Sequence, residues 1–310
     1  MSVVICNTPL PGLVGRPIDA AARRILSATG AVDFTQPAGE PALVGPDSVS
    51  WRVFKNPVSL FIGGIAAVIL ELAEPRVRAG VWDHSSFRSD PLRRLQRTGM
   101  AAMVTVYGAR SDAERMIAAV VRMHGKVSGE ASNGAPYSAD DVDLLDWVQA
   151  TASFGFIGAY DAYVSRLSPV DVDRAYAEAA PSARLYGATG APVSAAAMAA
   201  LIARMTPALE PSPVLQEFLT IMRTVEIAPP PLKPIQSLLV RAAIDLVPAD
   251  LRRRLDLGAD QGLRPWERPM VRFAGSLADR IRLDGSPAVQ ACRRLGLPAN
   301  HLYGHRGTRC

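Results

Sequence analysis

His124 stands seven residues after Ile117, four after Val120 and three after Val121. On a helix this spacing sets it within an apolar stripe that faces a core. Burial penalises the imidazolium, so the ring is expected to be neutral, the form that ligates a metal such as iron or zinc. The position also suits a core histidine bonded to a backbone carbonyl, the commoner role for a lone histidine on an apolar face. His124 opens the stretch His124-Gly-Lys-Val-Ser-Gly129. Gly125 and Gly129 carry no side chain, so a planar group or another backbone can approach closely there. An ordinary helix end with Gly129 as its left-handed cap reads the same way. A second constellation is Arg94 and Thr98, which share a helix face at i, i+4 spacing. Arginine stays charged in proteins. On an internal face it needs a carboxylate, a propionate or a bound oxygen species, and Thr98 could donate to the same ligand. On an external face Arg94 would be solvated and Thr98 would bond back to the preceding turn.

These residues need helices to hold them. Strand signals are nearly absent, with little period-2 alternation and no Asn-Gly hairpin turn, so the chain is expected to be all-α. Asp90-Pro91 reads as an N-cap followed by proline at the first helical position, opening a helix through Leu92–Val106. Ser111-Asp-Ala-Glu114 has the capping-box pattern and predicts a helix to about Val127. Ser138-Ala-Asp-Asp141 predicts a third, through about Ala152 and on toward Leu167. The apolar run Pro57–Leu70 is too short for a membrane span and suits a buried helix. Ser194, Ser212-Pro213, Ile235, Trp266 and Pro287 mark later helices, and Ile18–Ala28 reads as a short amphipathic one. Pro229-Pro-Pro231 is the strongest linker signal. The divisions expected are an N-terminal arm over 1–45, a helical core over 46–228, and C-terminal helices over 229–310 packing on the same domain.

Composition narrows the chemistry. The 310 residues are 49% hydrophobic, enough for a sizeable core. Cys6, Cys292 and Cys310 are far apart with no Cys-x-x-Cys, which argues against a disulfide framework or structural zinc. Four histidines leave little room for a centre built from several of them. His301 and His305 sit in a polar tail and read as solvated, Cys310 as exposed, and Trp147, Phe154 and Phe156 as core or pocket wall. The net charge of +5 is modest and spread along the chain, so nucleic acid is not an expected partner. No signal peptide or membrane-inserted segment is recognisable, and a cytoplasmic location is the expectation.

A set of ordered segments resembles a known family. They are Gly45-Pro-Asp-Ser-Val-Ser-Trp-Arg52, Ile62-Gly-Gly64, Asp83-His-Ser-Ser-Phe-Arg-Ser-Asp-Pro91 and Arg94-Leu-Gln-Arg-Thr98. Met123-His-Gly-Lys-Val-Ser-Gly129 and Leu145-Asp-Trp-Val-Gln-Ala-Thr151 follow. Together they are similar to the catalytic domain of MpaB-type oxygenases and latex-clearing proteins (rubber oxygenases), over most of the chain and most weakly at its ends. The resemblance implies an all-helical fold, globin-like or bundle-like, around one non-covalent haem b per chain. It makes His124 the axial ligand, with Gly125, Val127 and Gly129 beside the cofactor and Arg122 and Arg52 as candidates for its propionates. It puts Arg94 and Thr98 in the distal pocket. A catalytic acid is implied but not located: Glu74 and Glu71 are candidates, and His84 is a further distal one. Related sequences often carry histidine where this chain has Gln149. The implied activity is that of a haem-dependent oxygenase acting on a hydrophobic, isoprenoid or lipid-like, small molecule, with O2 meeting iron opposite His124. A haem peroxidase, a non-catalytic binder of haem or apolar ligand, and a helical protein with no cofactor are the competing readings.

Overall fold

The structure, a computed structural model, describes residues 3–5, 8–9, 32–227 and 233–303. The expected helix at Ile18–Ala28, the Pro229–Pro231 linker, Cys6, His305 and Cys310 lie outside the described residues. The fold is all-α, with thirteen α-helices among those residues. At its centre α2 (Pro57–Ala73) lies along α6 (Val142–Tyr163). Asn56 starts α2 by accepting from the amides of Val58 and Ser59, both at 3.1 Å, with Pro57 in the first turn. The two helices run antiparallel: Gly63 meets Gly155, and one end further along the Trp147 indole donates to the Leu70 carbonyl at 3.2 Å. A Cβ on Gly155 would lie 2.2 Å from the Gly63 carbonyl oxygen, and one on Gly63 would lie 2.6 Å from that of Gly155. The backbones touch because neither residue has a side chain. Gly155→Ala should therefore force the central pair apart and cost about 3 kcal/mol in urea denaturation. Gly99→Ala, where a Cβ meets nothing within 4 Å, should instead be neutral or stabilise by up to ~1 kcal/mol.

Around this pair sit α3 (Pro75–Asp83), which leaves α2 at a sharp bend of 112°, and α9 (Pro213–Thr224), α10 (Lys233–Leu246) and α12 (Glu267–Arg280). One large apolar core joins them. A second core holds Trp51 of α1 (Val49–Phe54), Tyr107 of α4 (Pro91–Tyr107), Ala113 of α5 (Arg110–His124) and Cys292 of α13 (Pro287–Arg294). Residues 33–43 close over it: the buried Arg294 guanidinium donates to the carbonyls of Phe34 and Glu40 at 2.9 and 2.8 Å. Among the described residues no single helix is long and apolar enough to cross a membrane.

Several boundaries differ from expectation for local reasons. α5 is not capped by Ser111. It begins at Arg110, and the carboxylate of Glu40, seventy-one residues upstream, accepts from the Ser111 amide and hydroxyl at 2.7 and 3.0 Å. α5 ends at His124 rather than Val127, and Gly129 is not a left-handed cap. Gly129 lies in a short strand β3 (Ser128–Glu130) paired with β4 (Pro136–Ser138), opposite Tyr137. A Cβ on Gly129 would come within 2.9 Å of the Tyr137 hydroxyl. The start of α6 is Asp141, whose side chain accepts from Asp143 and Leu144, while Ser138 belongs to β4. The helix α7 (Pro169–Tyr186), unforeseen in the sequence, starts at the cap Ser168 and tolerates Pro181 in its interior. Helix α8 (Ala195–Met205) follows Ser194 as expected. The short helix α11 (Ala249–Arg254) and a strand pairing of β1 (Val3–Ile5) with β2 (Thr8–Pro9) and β5 (Ile281–Leu283) complete the set.

Candidate active site

The last turn of α2 carries Glu71, and α4 carries Arg94 and Thr98 just after its Asp90 cap, whose side chain accepts from the Arg93 amide at 3.2 Å. The last residue of α5 is His124. Arg94 and Thr98 meet as their spacing implied: Arg94 Nη1 donates to Thr98 Oγ1 at 2.6 Å, and the same hydroxyl donates to the Arg94 carbonyl at 3.0 Å. The threonine thus bonds back along its own helix and also steadies the guanidinium. Phe87, just ahead of α4, supports that guanidinium from its ring face, 5.7 Å from the centroid. Arg94 Nε is buried and has no hydrogen-bond partner among the described residues.

Glu71 is the acid that faces this arginine. The single hydroxyl proton of Thr151 on α6 is shared between the Val148 carbonyl at 2.9 Å and Glu71 Oε1 at 3.4 Å. Burial pushes the Glu71 carboxyl up to about 7, against the opposing pull of Arg94 and the Thr151 hydrogen bond. Its carboxyl lies deep among protein atoms while the residue keeps some accessible surface. Phe61, Gly64 and Val68 share its face of α2 at helical spacing, and they too are only partly covered while Ile62, Ile65, Ile69 and Leu70 are fully packed.

His124 closes the group. Burial, and then the nearby charge of Arg94, hold its imidazole below the usual histidine value, so it is neutral near pH 7. Its Nδ1 is buried with no hydrogen-bond partner among the described residues. The carbonyl-bonded core histidine is therefore not what this position holds. Ile117 is packed, but Val120, Val121 and His124 are only half-covered. Helices α4 and α5 pack on each other, on α1, α7 and α13, but neither runs packed along α2 or α6. The charge of Arg94 on α4 reaches both Glu71 on α2 and His124 on α5, and links the three residues.

The other sequence candidates lie elsewhere. Glu74 is buried and occupied: it caps α3 by accepting from the Val77 amide at 2.8 Å and pairs with Arg76 Nε at 2.8 Å. His84, at the end of α3, is exposed, with Nε2 3.1 Å from the Tyr137 hydroxyl. Arg52 pairs with Asp171 of α7 at 3.2 Å, and Arg122 is exposed. Gly125 terminates α5 and is exposed, as is Gly129, whereas Val127 is half-buried against the main core. Gln149 is half-buried on α6. His301 is not a solvated tail residue: it lies 3.3 Å from Asp47 and is mostly covered. Thr151 and Phe87 went unforeseen as site residues. Thr151 follows Trp147 at i, i+4, and only the antiparallel run of α6 on α2 brings it to Glu71.

The residues suit a haem on three counts: an unpartnered buried imidazole nitrogen, an arginine with an unpartnered Nε, and half-covered apolar helix faces around them. Among the described residues no group of three or more His, Cys, Asp or Glu side chains could hold a bare metal ion. No curated protein and no solved structure matches the chain. The family model described as "ER-bound oxygenase mpaB/B'/Rubber oxygenase, catalytic domain" matches residues 51–278, spanning the whole group from α2 to α6. The chain belongs to this oxygenase family.

Proposed function

We propose that this protein is a haem b-dependent oxygenase acting on O2 and a hydrophobic, isoprenoid or lipid-like, small molecule. The observation that carries the proposal is the buried, unpartnered Nδ1 of a neutral His124 in the same group as Arg94 and Glu71. His124 would hold the haem iron through its imidazole, and the bound cofactor would supply an iron centre competent to activate dioxygen. Arg94, fixed by Thr98 and Phe87, donates hydrogen bonds to negative charge that develops beside it. Glu71 can hold or release a proton at its carboxylate near neutral pH, with Thr151 fixing its orientation. Phe61 and Val68, half-covered on the same face of α2 as Glu71, offer an apolar surface that favours a hydrophobic substrate. Neither Arg52 nor Arg122 is needed for this arrangement.

The test is spectroscopic first. Protein made with haem supplementation should show a Soret band, and reduced protein should consume oxygen with a polyisoprenoid or unsaturated lipid. A colourless product overturns the haem assignment. A Soret band with peroxide-driven dye oxidation and no oxygen uptake would place the protein among the peroxidase-type enzymes. Haem with neither activity would make it a binding protein.

A further inference from the structure

Helix α12 is held on the core by one side only. Glu267, Val271 and Gly275 are buried. Glu267 pairs with Arg241 at 3.0 Å, the Gly275 carbonyl accepts from Asn56 at 2.9 Å, and the Ser276 hydroxyl donates to the Val164 carbonyl at 3.0 Å. The outward side carries Trp266 just before the helix, then Met270, Phe273 and Leu277, which are 59, 51, 70 and 39% exposed. Their spacing of four, three and four residues confines them to about 60° of arc at ~100° per residue. Four large apolar side chains in one line are not scattered surface hydrophobics.

The charges around this line have one sign. Arg264, Arg268, Arg272 and Arg280 are exposed. The acids of the helix are turned inward: Glu267 to Arg241, and Asp279 to Lys55 at 2.9 Å. Arg268 has a partner in Asp245 at 2.9 Å, and Arg264 lies over the Trp266 ring at 5.9 Å. A helix laid in a protein groove typically buries an apolar arc of ~100° or more. A narrow arc of Trp, Met, Phe and Leu, with Arg264 over its first ring, Arg280 along one border and Arg272 beyond that border, is what an interfacial helix presents to anionic headgroups.

We infer that the outward face of α12 docks this protein on an anionic phospholipid surface, lying in the plane of the headgroups without crossing the membrane. The inference stands apart from the haem assignment, since no residue of the Glu71, Arg94 and His124 group takes part.

The test is flotation of the full-length protein with vesicles of phosphatidylcholine and phosphatidylglycerol, compared with phosphatidylcholine alone. Binding should occur to the mixed vesicles, fall with added salt, and weaken at least about tenfold in the double variant Trp266→Ser/Phe273→Ser. Arg272→Glu/Arg280→Glu should also lose the preference for anionic lipid. Trp51, Trp82 and Trp147 are buried, so a blue shift of indole fluorescence on vesicle addition should vanish in Trp266→Phe. These positions are exposed, and unchanged circular dichroism and an unchanged urea midpoint would show that the variants fold. Absence of vesicle binding by the wild type overturns the inference. So does a wild-type dimer that the serine variant turns into a monomer without any effect on lipid binding, because the face would then serve a second copy. Equal binding by the wild type and both double variants also overturns it.

Discussion

Replacing His124 with alanine should remove the Soret band and bring oxygen consumption to background, while leaving the fold intact. The reasoning is local. The imidazole makes no hydrogen bond through its buried Nδ1 and is only half-covered, so its loss leaves neither an orphaned partner nor a closed cavity. The stability change of the haem-free protein should stay within about 1 kcal/mol. Removing the imidazole, in contrast, would remove the bond proposed to hold the haem. Added imidazole should restore part of the absorbance by filling the vacated space. A His124→Ala protein that keeps an unaltered Soret band would show that another residue holds the haem.

Glu71→Gln should lower kcat by about 10²–10⁴ with little change in haem content, the range for loss of a positioned acid or base. If deprotonated Glu71 is the working form, wild-type kcat should rise with pH through about 7, the value to which burial pushes this carboxyl. The glutamine variant should lack that limb. The same group sets a stability test on the haem-free protein. Its folded pKa is raised above the ordinary 4.5. Its contribution is therefore fully present below pH 4.5 and is lost as pH rises through about 7. Relative to Glu71→Gln, the wild type should lose roughly 2–3 kcal/mol over that window in urea melts. His124 acts with the opposite sign: its pKa is lowered from 6.5, so its contribution falls as pH drops below that value. Both proteins carry His124, so comparing them isolates Glu71. Thr151→Val should move the activity limb to higher pH, because the hydroxyl favours the ionised carboxylate. If Glu71→Gln keeps full activity and an unchanged pH profile, the acid–base role is wrong.

Several parts of the protein were legible from local chemistry. The caps Asp90, Ser194 and Ser212 start their helices through side-chain acceptance from a nearby amide, and that interaction is complete within four residues. The i, i+4 meeting of Arg94 with Thr98 is equally local. So is the placing of His124 beside Val120 and Val121, because helical periodicity alone determines it.

Other features depended on residues far apart in the chain. The start of α5 rests on Glu40, and Gly129 answers to the ring of Tyr137 rather than to the helix before it. The choice between Glu71 and Glu74 shows the difference most clearly. Three residues apart in one apolar-to-proline transition, they have the same side-chain chemistry, although Glu74 alone directly precedes a proline. The bend between α2 and α3 separates them: Glu74 is spent on the amide of Val77, while Glu71 stays on the last turn of α2. The antiparallel seat of α6, permitted by the bare backbones of Gly63 and Gly155, brings Thr151 to Glu71, and α4 brings Arg94. A carboxyl's pKa and its partners are properties of the space around it. That space exists only after helices distant in sequence have packed, whereas a cap or a helical pair is finished within one turn.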